Sequence, residues 1–351
     1  MVPASKMDSR VVLRQGRHAA LIFACTTIVG CAKTPQQAEP DQPPQEVGEP
    51  VEKKPALDRT QETVYDVVNG AALRFDNFFG SSDLDTDAKV SRGRVSLGHQ
   101  WDPRNGSKTR LRLKARFDLR ALKERTQLML GRGDADELID GTGNDNIDNL
   151  PGRFNDFEDD DWLIGLGFSR DQQFRRGWNF SVGVKLTTPL EPFVRTTYRW
   201  LRSDGDRWLW RIEPLVFVQS QRGIGGSITN TLDYAASDRW LLRTWTILQG
   251  EDDIAGMGWT QKFTAYQSIS DKNAMSYALY ATGQTQAEVP LQDYGIELRY
   301  RKRIARKWLF VEFLTYLSWP REFLIEERKD NLGFGIEFEM QFGDWPGRPQ
   351  K

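Results

Sequence analysis

In Arg110-Leu111-Arg112-Leu113-Lys114-Ala115-Arg116-Phe117 every odd-numbered residue is apolar and every even-numbered one is cationic. A period of two puts the two sets on opposite faces of an extended strand, and no helix separates them as well. The same alternation returns at Trp178-Phe180-Val182-Val184-Leu186, at Tyr294-Ile296-Leu298-Tyr300 and at Ile336-Phe338-Met340-Phe342, with polar or charged residues in between. One face of each segment is apolar and the other hydrated.

The pattern predicts an all-β chain of about fourteen antiparallel strands, with twelve the alternative, at 89–101, 107–118, 123–132, 161–170, 177–188, 193–203, 207–219, 226–236, 239–249, 255–269, 274–286, 291–302, 307–318 and 330–342. Connections alternate between tight turns and segments that are longer on average, notably 133–160, 250–254 and 319–329. Gly223-Ile224-Gly225-Gly226 reads as a hairpin loop. Trp162, Trp178, Trp208, Trp240 and Trp308 open strands, and Trp200 and Trp319 close them, where interfacial aromatic residues belong. With an even strand count and both chain ends on the short-turn side, residues 89–342 resemble bacterial outer-membrane β-barrels. The resemblance is one of pattern and implies a transmembrane up-and-down barrel. It departs at the C-terminus: many such barrels end on an aromatic residue that the insertion machinery reads, whereas here Phe342 is followed by Gly343 to Lys351. The structural alternative is a soluble lipoprotein, a sandwich or a propeller, but no repeat of propeller length is visible. The negative mean hydropathy excludes helical spans only, since no stretch of 18 uncharged apolar residues occurs.

The first thirty residues read as an address. Lys6, Arg10, Arg14 and Arg17 face a single Asp8, and the uncharged run Ala19 to Gly30 is too short to span a bilayer. Its end, Ile28-Val29-Gly30-Cys31, resembles the lipobox of bacterial lipoproteins, with Ile28 where the family usually has Leu. The resemblance implies lipidation of Cys31, and Ala32 after it implies delivery to the outer membrane. Cys25 is a poorer second site, with bulky Phe23 two residues before it. Several acyl chains hold a protein to a bilayer where one would bind only marginally. Loss of residues 1–30 removes four Lys/Arg and one Asp, taking the net charge from -1 to -4, and leaves Cys31 without a disulfide partner.

Residues 31–59 carry that cysteine and a Pro/Gln/Glu tether too poor in large apolar residues to fold. Within 60–88, Val64, Val67, Val68, Ala71, Ala72, Phe75, Phe78 and Phe79 fall at helical spacing between Thr60 and Phe79. Asp58 and Gln61 are placed to cap its start. The opposite face, with Glu62, Asp66, Asn69, Arg74 and Asp76, is not that of a membrane-seeking basic helix. A helix packed at the barrel rim or inside the lumen fits equally. Residues 343–351 form a tail.

The charged residues of the hydrated face are the candidate site. On a closed barrel the last strand meets the first, so Glu337 and Glu339 are expected near Arg92 and Arg94, with Arg110, Arg112, Lys114 and Arg116 one strand further. Glu297, Arg299, Arg301 and Glu312 extend the pattern, and Arg195, Arg199, Arg211 and Glu213 form a second group. These charges either close the barrel and solvate its interior, or set up a transverse field that orients small solutes in a narrow pore. On the second reading passage is passive and the arginines favour anions. The rival is a closed structural barrel that docks envelope partners.

Enzymatic signals are thin. The mature chain has one histidine, His99, in Gly98-His99-Gln100-Trp101 beside Asn105-Gly106-Ser107. In residue types this is similar to outer-membrane phospholipases, which place a His, a nearby Ser and an orienting polar residue on the outer wall. The spacing differs, and Ser107 lies across a turn. A lone histidine at a strand end is more often simply interfacial. The acidic segment 133–160 reads by default as a solvated surface loop; it is oxygen-rich enough for divalent ions to bridge it to lipopolysaccharide phosphates, yet Asp140 to Asn146 lacks the EF-hand order. No P-loop, dinucleotide fingerprint or Cys/His cluster occurs, so no cofactor is implied. A net charge of -1 argues against nucleic acid as a partner. The expected partners are outer-membrane lipid and lipopolysaccharide, the barrel-insertion machinery and small solutes.

Overall fold

The computed structural model describes residues 78, 92–119, 126–133, 139, 161–173, 176–204, 207–252 and 254–343. Fourteen strands follow one another: β1 Arg92–Asp102, β2 Gly106–Asp118, β3 Thr126–Arg132, β4 Trp162–Gln173, β5 Arg176–Leu186, β6 Glu191–Asp204, β7 Trp208–Gln219, β8 Gly223–Ser237, β9 Trp240–Glu251, β10 Gly258–Ser270, β11 Asn273–Gln284, β12 Leu291–Arg303, β13 Leu309–Ser318 and β14 Asn331–Gly343. Each pairs antiparallel with its neighbours in sequence. The sheet closes where β1 meets β14, in register from Arg92 opposite Gly343 to Trp101 opposite Phe334. The predicted count and the closed up-and-down barrel are thus observed. The predicted signal segment and tether, all of the predicted helix except Phe78, and the tail beyond Gly343 lie outside the described residues, while Gly343, predicted to begin the tail, ends β14.

Both ends of the strand array lie at one mouth, with the connections 119–125, 174–175, 205–207, 238–239, 271–272 and 304–308. The opposite mouth carries 133–161 and 319–330, which are long, but also 103–105, 187–190 and 220–222, which are as tight as the turns on the other side. The hairpin reading of Gly223 to Gly226 is corrected: these residues begin β8. Gly223, at φ 74°, follows the turn, and Gly225 sits directly opposite Phe217. The Phe217 ring occupies the space a Cβ on Gly225 would need, so the second glycine is a slot for an aromatic ring rather than a turn signal.

The alternation seen in sequence maps onto the two sides of the wall. Along β7, Trp208, Trp210, Val216 and Val218 are exposed while Leu209, Arg211, Glu213, Leu215, Phe217 and Gln219 are buried. Along β14, Leu332, Phe334, Phe338 and Met340 face out and Asn331, Glu339 and Gln341 face in. Such an apolar outer face has no counterpart to pack on within the sheet, and strands of this length match the roughly 9–11 residues a tilted strand needs to span a bilayer. Trp178 against Tyr198, Trp200 against Trp210 and Trp208 against Tyr234 ring the mouth where the chain ends lie. Trp101 and Trp162 face out at the other mouth, where Tyr294 stacks on Trp319. These are two interfacial girdles flanking an apolar band.

Candidate functional site

The inner wall carries a belt of ion pairs at mid-height. On one side Arg199 pairs with Glu213, and Arg243 grips Asp233 through Nε at 2.6 Å and Nη2 at 3.1 Å, with Arg211 at 3.6 Å. On the other, Lys262 reaches Glu297 at 3.1 Å, Arg299 bridges Glu297 at 2.7 Å and Glu312 at 3.3 Å, and Arg301 bridges Glu312 at 3.3 Å and Glu339 at 2.6 Å. Arg112 meets Glu337 at 2.5 Å and closes the belt across the seam.

Several of these pairs skip a strand, and the residue passed over explains how. Lys262 on β10 reaches Glu297 on β12 over β11, where the residue level with Glu297 is Ala278. Arg112 on β2 reaches Glu337 on β14 over β1, where Ser96 and Gly98 stand level with the two charges. A large side chain at Ala278 or Gly98 would block the path. Much of the belt is dry: Glu297 and Arg301 are each 1% exposed, and Lys262, Arg299, Glu312 and Glu339 are buried with them, while Arg199 and Glu337 are half-buried. Removing charges from water is costly, so the close pairing is what permits ionised groups there.

Apolar clusters lie above and below the belt, also on the inner side. At the mouth holding the chain ends, Leu201, Leu209, Leu241, Tyr266 and Ala274 form a collar against which Phe78 packs. Phe78 is helical, and its ring meets Phe310 edge-on at 5.7 Å. Toward the other mouth, Ile139 is fully buried among Leu163, Phe193, Leu215 and Phe217. The acidic segment 133–160, expected as a solvated surface loop, therefore sends at least Ile139 into the barrel. The rest of it, and with it the cation question, lies outside the described residues apart from Gly133, whose carbonyl accepts from Arg110 at 2.5 Å. Trp245, Ile247 and Tyr280 make a third inward cluster.

At the loop-bearing mouth a polar network replaces the belt. Gln100 donates to the Tyr316 hydroxyl at 2.6 Å, and that hydroxyl donates to Asp102 at 2.8 Å. Tyr280 donates to Asp293 at 3.0 Å, and Gln219 to Glu191 at 2.5 Å. Arg104 in the β1–β2 turn pairs with Glu322 at 3.1 Å and Glu326 at 3.8 Å, tying 319–330 to that turn. The backbone N–H of Glu322 holds the Glu326 carboxyl below its ordinary range.

The predicted wall residues fall as follows. Arg110, Arg112, Glu297, Arg299, Arg301, Glu312 and Glu339 are buried on the inner side, and Glu337 joins them through Arg112. Arg94, Lys114, Arg116, Arg195 and Arg199 occupy inward register positions and are half-buried, and none of the five lacks a partner. Arg92 stands opposite Gly343 and Arg116. Arg94 stands opposite Gln341, diagonal to Glu339 and close enough to act on its charge, as expected, whereas Gly98 stands opposite Glu337 and Ser96 opposite Glu339. The sequence reading put Phe78 on the apolar stripe of a helix at the rim or in the lumen, but missed Ile139 and the inward Trp245 and Ile247. In β9 the signal was present, because Leu241, Trp245 and Ile247 alternate with outward Leu242 and Leu248, so both faces are apolar.

On the outer wall His99 is exposed at the same parity as Leu97 and Trp101, away from the lumen. Its Nδ1 lies 2.8 Å from Thr109 Oγ1 and its Nε2 3.1 Å from Ser107 Oγ. The turn that separates Ser107 from His99 in sequence brings them together in space. Among the described residues no group of three or more His, Cys, Asp or Glu is placed to hold a metal ion.

No protein-family model matches the chain, and no curated protein does. Among solved structures, Pseudomonas putida OprB is 9% identical, covering 72% of this chain and 94% of its own at a TM-score of 0.45. An anion-selective porin from Comamonas acidovorans is 8% identical, covering 72% and 98% at 0.44. The KdgM porin is 6% identical, covering 70% and 98% at 0.33.

Proposed function

We propose that the chain is a bacterial outer-membrane barrel, further anchored by lipid on Cys31, that passes small polar solutes and favours anions. In this reading the conformation described is its closed state. The observation that carries it is the belt of ion pairs on the inner wall of a barrel whose outer wall is apolar. Well-packed apolar residues fill a lumen at least as stably as ion pairs do. A wall meant only to be filled therefore has no use for so many charges, whereas a conducting lumen does. The cationic rows of β1 and β2, with Arg94, Arg110, Arg112, Lys114 and Arg116, give the path its anion preference. The Phe78 collar and the Ile139 cluster close its two mouths.

The test is single-channel recording of the mature chain in planar bilayers, with and without residues 32–88. Conductance that favours anions, and that rises without residues 32–88, is expected; electrical silence of both forms overturns the channel. Mass spectrometry of the N-terminal peptide tests the anchor, which requires an acylated Cys31. A second reading, a closed barrel that docks envelope partners, draws on the dryness of the belt, and silence of both forms would favour it.

A further inference from the structure

The outer wall of the β1–β2 hairpin carries three polar side chains where its neighbours are apolar. His99, Ser107 and Thr109 share the outward face with Leu97 and Trp101, both about half exposed. Register sets His99 opposite Thr109 on β2 and Ile336 on β14, and Trp101 opposite Ser107 and Phe334. The imidazole is held at both nitrogens, by Thr109 Oγ1 at 2.8 Å and Ser107 Oγ at 3.1 Å. A hydroxyl on Nε2 and a second on Nδ1 is the arrangement of a nucleophile, its base and a group that orients the base. The trio lies beside Trp101, one register pair from the end of the hairpin, at the level of an aromatic girdle. That is the depth at which the ester linkages of lipids meet the acyl chains.

We infer that Ser107 and His99 hydrolyse acyl esters of membrane lipids, with Thr109 as a positioning residue. Thr109 Oγ1 accepts a hydrogen bond from Nδ1–H, which leaves the Nε2 lone pair to accept one from the Ser107 hydroxyl. Ser107 Oγ attacks the ester carbonyl carbon as its proton passes to Nε2. The tetrahedral adduct collapses, the bond to the alcohol oxygen breaks, and Nε2–H protonates that oxygen. Water, deprotonated by Nε2, then attacks the acyl-serine and releases the fatty acid, restoring both side chains. A neutral hydroxyl stabilises the imidazolium less than a carboxylate does, so turnover is slow. The site rests on the membrane placement of the outer wall but not on an open lumen, since the three side chains lie on the far side of the sheet from the ion-pair belt.

The test uses the full chain in mixed micelles, with diacyl phosphatidylethanolamine in one arm and lipopolysaccharide in the other, reading fatty-acid release and the site of fluorophosphonate labelling. Release in either arm, with the label on Ser107, is expected; the arm that reacts identifies glycerophospholipid or lipid A esters. Ser107→Ala abolishes both signals, and His99→Gln lowers release by about 10²-fold or more. Thr109→Val lowers kcat by about tenfold with KM little changed, and Thr109→Ser restores it. Each variant keeps the unheated gel mobility of a folded barrel. Release that persists in Ser107→Ala, or none from a folded wild-type barrel in either arm, overturns the site. A chain that folds and stays dissolved without detergent overturns the membrane placement instead.

Discussion

Arg301 on β12 and Glu339 on β14 meet at 2.6 Å although β13 runs between their strands, and Arg301 also holds Glu312 of that intervening strand at 3.3 Å. The guanidinium lies over the Phe310 ring at 4.6 Å, so one cation is shared by two carboxylates and an aromatic face. Deleting one member of a buried pair leaves the other without compensation, at about 3–5 kcal/mol. Glu339→Gln is expected at the low end, because Glu312 remains. The double variant Arg301→Met, Glu339→Met should recover most of the loss. Urea unfolding of the barrel in vesicles, followed by tryptophan fluorescence, measures both. A double variant no more stable than the single one refutes the coupling.

Phe78 contributes one ring to a collar otherwise built by β6, β7, β9, β10 and β11. Truncating a half-buried aromatic costs less than the roughly 3–5 kcal/mol of a fully buried one. Phe78→Ala is therefore expected to lower barrel stability by about 1–2 kcal/mol and to lengthen open times in planar bilayers. Phe78→Glu, which places a charge in the collar, should lengthen them further. Unaltered open times in both would remove Phe78 from the gate.

Gly333 lies directly opposite Tyr316, whose ring fills the space a Cβ would take. The glycine lets that ring lie along the wall and its hydroxyl reach Asp102 at 2.8 Å. Gly333→Val must push the ring away, break this bond and the one from Gln100, and cost about 2–3 kcal/mol. Two residues on, a Cβ at Gly335 would meet its nearest neighbour at an ordinary 3.5 Å. Gly335→Ala is thus expected within about 0.5 kcal/mol of the parent. Equal losses at the two positions in the same urea assay would show that the ring does not matter.

The strands were legible because lipid on one side and a largely polar lumen on the other impose a period of two on most segments long enough to span. What failed was whatever depended on the size of a single residue or the path of a loop. Gly225 looked like a turn because sequence does not reveal that Phe217 lies across from it. The partner of Glu337 was missed because Ser96 and Gly98 let Arg112 reach past a strand. Ile139, beside Leu138, is one of several apolar residues scattered through an acidic segment, and no period among them foretells an inward turn. The contact of His99 with Ser107 depends on the tightness of the turn at 103–105, which spacing alone does not fix.

Lys114 and Arg116 continue the cationic row of β2 past Arg112 toward the mouth that holds the chain ends. A unit charge a few ångströms from a water-filled path changes an anion's energy there by about 0.5–1 kcal/mol. Replacing both by Gln is therefore expected to lower the anion-to-cation permeability ratio by about five- to tenfold at 0.1 M salt. At 1 M salt the screening length shrinks from about 10 Å to about 3 Å, and the two proteins should converge. Reversal potentials across a KCl gradient read the ratio directly. A shift of the same size at both salt concentrations would mean that the substitutions changed the shape of the lumen and not its field, and no shift at either would take this row out of the conduction path.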